Sequence, residues 1–240
     1  MLAGLIFVAA TLYSSVGHGG ASGYLAAMAL FSMAPLDMKP AALTLNILVA
    51  SIALIKYTKT GNFSWKIFWP FALSSVPFAY LGGLILLPGI YYKPIIGLVL
   101  IYTAFRFLKG ATKSDYKIKV PYMPVVLLFG VGLGFFSGLV GVGGGIFLSP
   151  LLIMLHWEDV KKVSGVAAAF VLVNSIAGLF GFISSNITQL PEGLPIWAVA
   201  AMIGGYIGAE YGSKRFGNPT IKHLLSIVLL VAGIKMLATV

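Results

Sequence analysis

The chain has 240 residues, 59% of them hydrophobic and 9% charged, against roughly 45–50% and about 25% in soluble domains. That much apolar surface cannot be hidden inside a soluble domain of this length, but a lipid bilayer can cover it. The net charge of +10 does not indicate nucleic acid. The basic residues sit in short runs between apolar stretches, with no basic stripe interleaved with aromatics.

Taken in chain order, apolar runs define five segments in the first half, at about 2–16, 21–35, 41–56, 67–88 and 94–108. Five more follow at about 121–140, 144–155, 163–184, 194–210 and 221–238. Crossing the hydrocarbon core takes about 20 residues. The first two segments and the run 144–155 are short for that. The opening residues Met1 to Leu5 enter an apolar run with no basic stretch, so no cleaved signal peptide is expected. The longest polar stretch, about Lys109 to Lys119, is too short for a soluble domain or a nucleotide-binding domain. Cysteine is absent, which excludes disulfides, iron–sulfur clusters and thiol chemistry.

The two halves resemble each other. Gly17-His18-Gly19-Gly20 matches Gly141-Val142-Gly143-Gly144, Asn46 matches Asn174, and Arg106 matches Lys235, at offsets of 124, 128 and 129. Three matches in the same order indicate a duplication, with residues 1–110 as the first repeat, 111–120 as a cytoplasmic linker and 121–240 as the second repeat. Charge sets the relative orientation. If each glycine-linked pair returns to its side of origin, the 16 basic residues divide 13 to 3, with Lys39, Lys93 and Lys235 alone opposite. If each pair is instead one broken span, they divide 9 to 7. The positive-inside rule favours the first arrangement. The expected fold is therefore an all-α polytopic membrane protein of two inverted repeats, with both termini outside. Each repeat is a glycine-linked pair of short helices, re-entrant or spanning, plus three transmembrane helices.

Short helices meeting at glycines near the bilayer midplane leave unpaired backbone N–H groups and the positive ends of helix dipoles, a setting that suits an anion. The candidate substrate-binding residues are Gly17, His18, Gly19, Gly20 and Ser22 from the first cluster and Gly141, Gly143, Gly144 and Gly145 from the second. Asn46 and Asn174, each in the third segment of its half, can donate hydrogen bonds to an oxyanion or bond neighbouring helices. His18 could take a proton or donate to an anion. His156 and His223, at segment ends, read as interfacial, and Glu210 either reaches the interface or pairs with Lys214. Gly130, Gly132 and Gly134 read as sites of close helix packing. Gly20-Ala21-Ser22-Gly23 fits the pattern of rhomboid intramembrane proteases, but no later segment carries a histidine in its interior to act as base.

The run Gly138 to Gly145, continuing to Pro150-Leu151-Leu152, resembles the signature of the sulfite exporter TauE/SafE family, and the duplication extends the likeness over essentially the whole chain. The first copy departs from the pattern, with His18 inside it and no proline matching Pro150. The resemblance implies a secondary transporter of small sulfur-containing anions, such as sulfite or an organosulfonate, in a bacterial or archaeal plasma membrane. An anion channel, or a transporter of another small organic anion, is the alternative. No enzymatic activity, cofactor or metal is expected. The expected partners are the anion and the lipid bilayer, with a homodimer compatible and nucleic acid excluded.

Overall fold

The computed structural model describes residues 1–109, 118–185, 190–214, 230, 233–234 and 237–238. Most of the linker 111–120 and of the segment 221–238, with His223 and Lys235, lies outside the described residues, as does the Arg106 side chain. The described elements are all helical: α1 (Leu2–Ser14), α2 (Ala21–Leu30), α3 (Pro35–Lys59), α4 (Trp65–Leu84), α5 (Gly89–Lys109), α6 (Met123–Val140), α7 (Gly145–Met154), α8 (Val160–Ser185) and α9 (Leu194–Lys214). Among the described residues, α3, α4, α6 and Lys161–Ser185 of α8 are long and apolar enough to cross a membrane.

The expected third segment, 41–56, is extended at both ends. Pro35 opens α3 in its first turn, where a missing N–H costs nothing, and Asp37 suits the positive end of the helix dipole. Lys39 therefore lies inside a helix rather than in a loop.

Both glycine-linked pairs are hairpins. Gly23 of α2 packs on Ala9 and Tyr13 of α1, so α2 folds back along α1. In the second pair the Lys119 N–H, just before α6, donates to the His156 carbonyl just after α7, at 2.7 Å. At 10 residues each, α2 and α7 rise about 15 Å, about half the hydrocarbon core.

The packing repeats between halves. α1 packs on α9 as α6 packs on α4, α3 meets α9 as α8 meets α4, and α3 crosses α8 in the middle. The α3–α8 pair is antiparallel: Asn46 meets Ser175, Leu43 approaches Gly178, and Asn62, past the end of α3, meets Gly165 near the start of α8. The interfaces are made close by glycines four residues apart. Gly130, Gly134 and Gly138 of α6 abut Ser74, Ser75 and Ala79 of α4, and Gly204, Gly208 and Gly212 of α9 abut Phe7, Thr11 and Ser15 of α1. Gly132 is different: nothing lies within 4 Å of where its side chain would be. Two residues from Gly130 is about 200° around the helix, which turns Gly132 outward.

Large apolar side chains face outward instead. Trp65, Trp69 and Leu73 on α4, Phe180 and Ile183 on α8, and Ile196 on α9 are all more than half exposed. Small residues inside and bulky ones outside is the pattern of helices packed in lipid.

Candidate functional site

The two glycine turns converge on the middle of the α3–α8 crossing. A side chain at Gly19 would collide with the carboxamide of Asn46 and with Val171; one at Gly143 would sit 2.7 Å from Asn46 Nδ2, 2.9 Å from Val171 and 3.0 Å from Ser175 Oγ. The turns arise from different halves, yet they close on the same two residues of α3 and α8. Gly145 also packs on Val171, with the His18 ring near it.

Asn46, fully buried, joins the turns. Its Oδ1 accepts the Ala21 N–H at the start of α2 at 2.9 Å. Its Nδ2 donates to the Val142 carbonyl and to Ser175 Oγ, both at 3.3 Å. His18 adds a second link: its Nε2 and Ser149 Oγ are hydrogen-bonded at 2.8 Å, tying the first turn to α7.

Both short helices start at glycine. Gly20 and Gly144 precede α2 and α7 with φ of 109° and 78°, a left-handed conformation that favours a residue lacking Cβ. Neither glycine has a side chain to accept the first-turn N–H groups, which helix geometry leaves without intrahelical partners. In α7 the Gly144 carbonyl accepts from Phe147 and Leu148, leaving the Gly145 and Ile146 N–H groups at the buried tip without a helix carbonyl. Two helix N-termini, buried and aimed at one region, can stabilise negative charge there.

The remaining candidates are spread around this centre. Gly17 lies against the Ser164 backbone and Gly141 against Lys39, at opposite ends of the site. Ser22 is buried, and its Oγ makes no hydrogen bond among the described residues. His18, the one buried histidine among the described residues, is engaged with Ser149, and Ser22 of the protease-like tetrapeptide is not hydrogen-bonded to it. Asn174 is fully buried, but its Nδ2 donates to the Phe170 carbonyl of its own helix at 2.8 Å, and its Oδ1 has no hydrogen-bond partner. Ser175 stands opposite Asn46 instead, because one residue along a helix rotates a side chain by about 100°.

Nothing in the sequence marks Ser175, Ser149 or Lys39 as residues of the site. Ser175 adjoins the matched asparagine and Ser149 lies within the family-like run, but only three-dimensional packing shows that they touch the site. Glu210, as expected, pairs with Lys214 and also with Lys56, linking α9 to α3. His156 ends the second hairpin beside Lys119. Among the described residues, no group of three or more metal-binding side chains is present.

A lipid-facing all-helical bundle, with short glycine-started helices meeting at its centre, defines a polytopic membrane transporter. Residues 2–236 match the family model described as Sulfite exporter TauE/SafE, and the chain belongs to that family. It is 40% identical to a probable membrane transporter protein of Sinorhizobium fredii, over 98% of this chain and 97% of the relative. A probable membrane transporter protein of Methanocaldococcus jannaschii is 27% identical, covering 78% of this chain and 73% of its own length. One of Bacillus subtilis is 24% identical, over 97% and 96%. No solved structure matches. The family and its relatives point to a membrane transporter rather than an enzyme.

Proposed function

We propose that this protein is a secondary transporter of a small sulfur-containing oxyanion, such as sulfite or an organosulfonate, working by alternating access in a plasma membrane. The observation that carries this reading is the convergence of two glycine-started helix N-termini, α2 with its first N–H held by Asn46 and α7 with none held by a side chain of its N-cap, on Asn46, Val171 and Ser175. An anion there would accept from the first-turn N–H groups of both helices. Glycine removes the side chains that would keep it from the backbone. Asn46, whose Nδ2 now bonds the second turn, can redirect that donor to the anion; Asn174 and His18 complete the polar lining.

The two halves, residues 1–110 and 121–240, are inverted copies with both termini outside. The repeated helix packing and the antiparallel α3–α8 crossing support that reading. Rocking one hairpin against the crossing would expose the site to each side in turn. The test is equilibrium binding of sulfite, thiosulfate, sulfate, sulfoacetate, taurine and acetate to purified protein, followed by counterflow in proteoliposomes. A sulfur oxyanion should bind and show saturable counterflow. Binding of none of the sulfur compounds would end this reading, and flux without counterflow would favour a channel.

A further inference from the structure

Lys39 is the one buried lysine or arginine side chain among the described residues, at 3% exposure. No carboxylate lies within ion-pair reach of it among them. Its Nζ donates instead to the carbonyls of Gly82, Gly83 and Ile85, at 3.4, 3.2 and 3.1 Å, around the C-terminus of α4, and sits 5.3 Å from the centre of the Phe182 ring of α8. Capping a helix C-terminus stabilises it. A neutral amide can do the same without the desolvation of a buried ammonium. A lysine near a helix end in a membrane can also snorkel to the interface at little cost, yet this one points inward. Ionisable side chains held inside a membrane protein in this way usually mark a pathway.

Position gives the charge its meaning. Lys39 and Asn46 are seven residues apart and so share a face of α3, about 10 Å apart along its axis. The second glycine turn runs along that face: a side chain at Gly141 would begin 3.0 Å from Lys39 Cγ and 3.5 Å from its Cα, and Gly143 packs on Asn46. The buried cation and the centre of the site are thus two ends of one short track. Among the described residues the first turn has no buried cation at its far end, where Gly17 meets the Ser164 backbone and Gly165 meets Asn62.

We propose that Lys39 is an anion-contacting subsite and latch at one end of the transport pathway, which the charge distribution of the chain puts outside. With this end closed, its ammonium rests on the α4 carbonyls and holds α3, α4 and α8 together. When the end opens, the ammonium exchanges those carbonyls for an incoming oxyanion, which then moves along the Gly141–Gly143 backbone to the α7 N-terminus. The subsite fits a small mono- or dianion and excludes cations. This inference rests on the anion-transport reading above.

The test uses the full-length protein in proteoliposomes, with whichever of sulfite, thiosulfate and sulfoacetate binds the wild type most tightly. Lys39→Gln keeps a donor for the α4 carbonyls, so its melting temperature should stay near that of the wild type. Its KM for anion presented from the Lys39 side should nevertheless rise about tenfold or more, with a flatter salt dependence. KM from the opposite side should change much less. Lys39→Arg should keep most of the wild-type behaviour. Lys39→His supplies a readout that does not depend on the Gln variant folding: relative to wild type, its KM should be near normal at pH 6 and raised at pH 8. A folded Lys39→Gln with unchanged KM and salt dependence, or a Lys39→His whose KM relative to wild type does not vary with pH, would reduce Lys39 to a structural cap. If the wild type binds none of the three anions, the transport reading falls first and this inference with it. If the wild type binds and the Lys39 variants transport normally, only this inference falls.

Discussion

Asn46 uses both ends of its carboxamide at once, accepting from the start of α2 and donating to the second glycine turn and to Ser175. Two effects of substitution follow and can be separated. Asn46→Ala removes three buried hydrogen bonds and strands their partners, at a cost of about 2–4 kcal/mol, so both melting temperature and anion affinity should drop. Asn46→Asp keeps the acceptor for the Ala21 N–H and should recover part of the stability, yet it should bind anion more weakly than the alanine variant because it brings a negative charge to the site. An aspartate variant that binds as tightly as wild type would place the anion elsewhere. Asn174 is engaged only with its own helix backbone, so Asn174→Ala should leave melting nearly unchanged. If its Nδ2 turns from the Phe170 carbonyl to bound substrate, affinity should fall roughly 10- to 150-fold; unchanged affinity would remove it from the site. That these asparagines are buried polar groups was legible in the sequence, since each lies within an apolar run. Which of them bridges the turns was not, because a one-residue difference in helix register decides whether Asn174 or Ser175 meets Asn46.

At the scale of helices, the glycines sort by what their missing side chain would meet. Gly134 lies against the Ser75 backbone and Gly208 against the Thr11 backbone. Gly134→Val and Gly208→Val should force α4 from α6, or α1 from α9, and lower the melting temperature sharply or abolish folded protein. Gly132→Val, which meets open space, should fall within about 0.5 kcal/mol of wild type. Thermal unfolding of the three variants in one detergent checks the contrast; a Gly132 variant as damaged as the others would contradict the packing described. The sequence revealed the helices and the two glycine-linked pairs through run length and glycine clustering. It did not reveal that α3 begins at Pro35. The polar residues Asp37 and Lys39 interrupt the apolar run there, whereas the helix continues through them because Lys39 finds backbone carbonyls of α4.

For the molecule as a whole, the antiparallel α3–α8 crossing and the repeated packing carry a topological expectation. In inverted repeats the loop after α3 and the loop after α8 lie on opposite sides of the membrane; in parallel repeats they share a side. Cysteines at Lys59 and at Glu192, both exposed, should therefore be labelled by an impermeant reagent from opposite faces, Lys59 and Lys214 from the cytoplasmic one. Labelling of Lys59 and Glu192 from the same face would rule out the inversion. The sequence carries the expectation of a duplication in its three ordered matches and the expectation of an inverted orientation in its charge placement, because the positive-inside bias acts on whole loops; the labelling experiment decides both. The meeting of the two glycine turns on α3 and α8 was not legible there, because nothing in the order of residues fixes how far each hairpin reaches into the bundle.

The proposed binding of a sulfur oxyanion between the paired glycine turns is tested most directly by anion titration of purified Gly19→Ala, Gly143→Ala and Gly132→Val beside the wild type, with melting temperatures taken on the same samples. A methyl group at Gly19 or Gly143 intrudes on the Asn46 carboxamide at the centre of the site, whereas Gly132 faces away from it. Affinity should fall at least tenfold in each of the first two variants, as expected for a lost charged hydrogen bond, and stay at the wild-type value in the third. Folded Gly19→Ala and Gly143→Ala proteins that bind the anion as tightly as wild type would contradict the site.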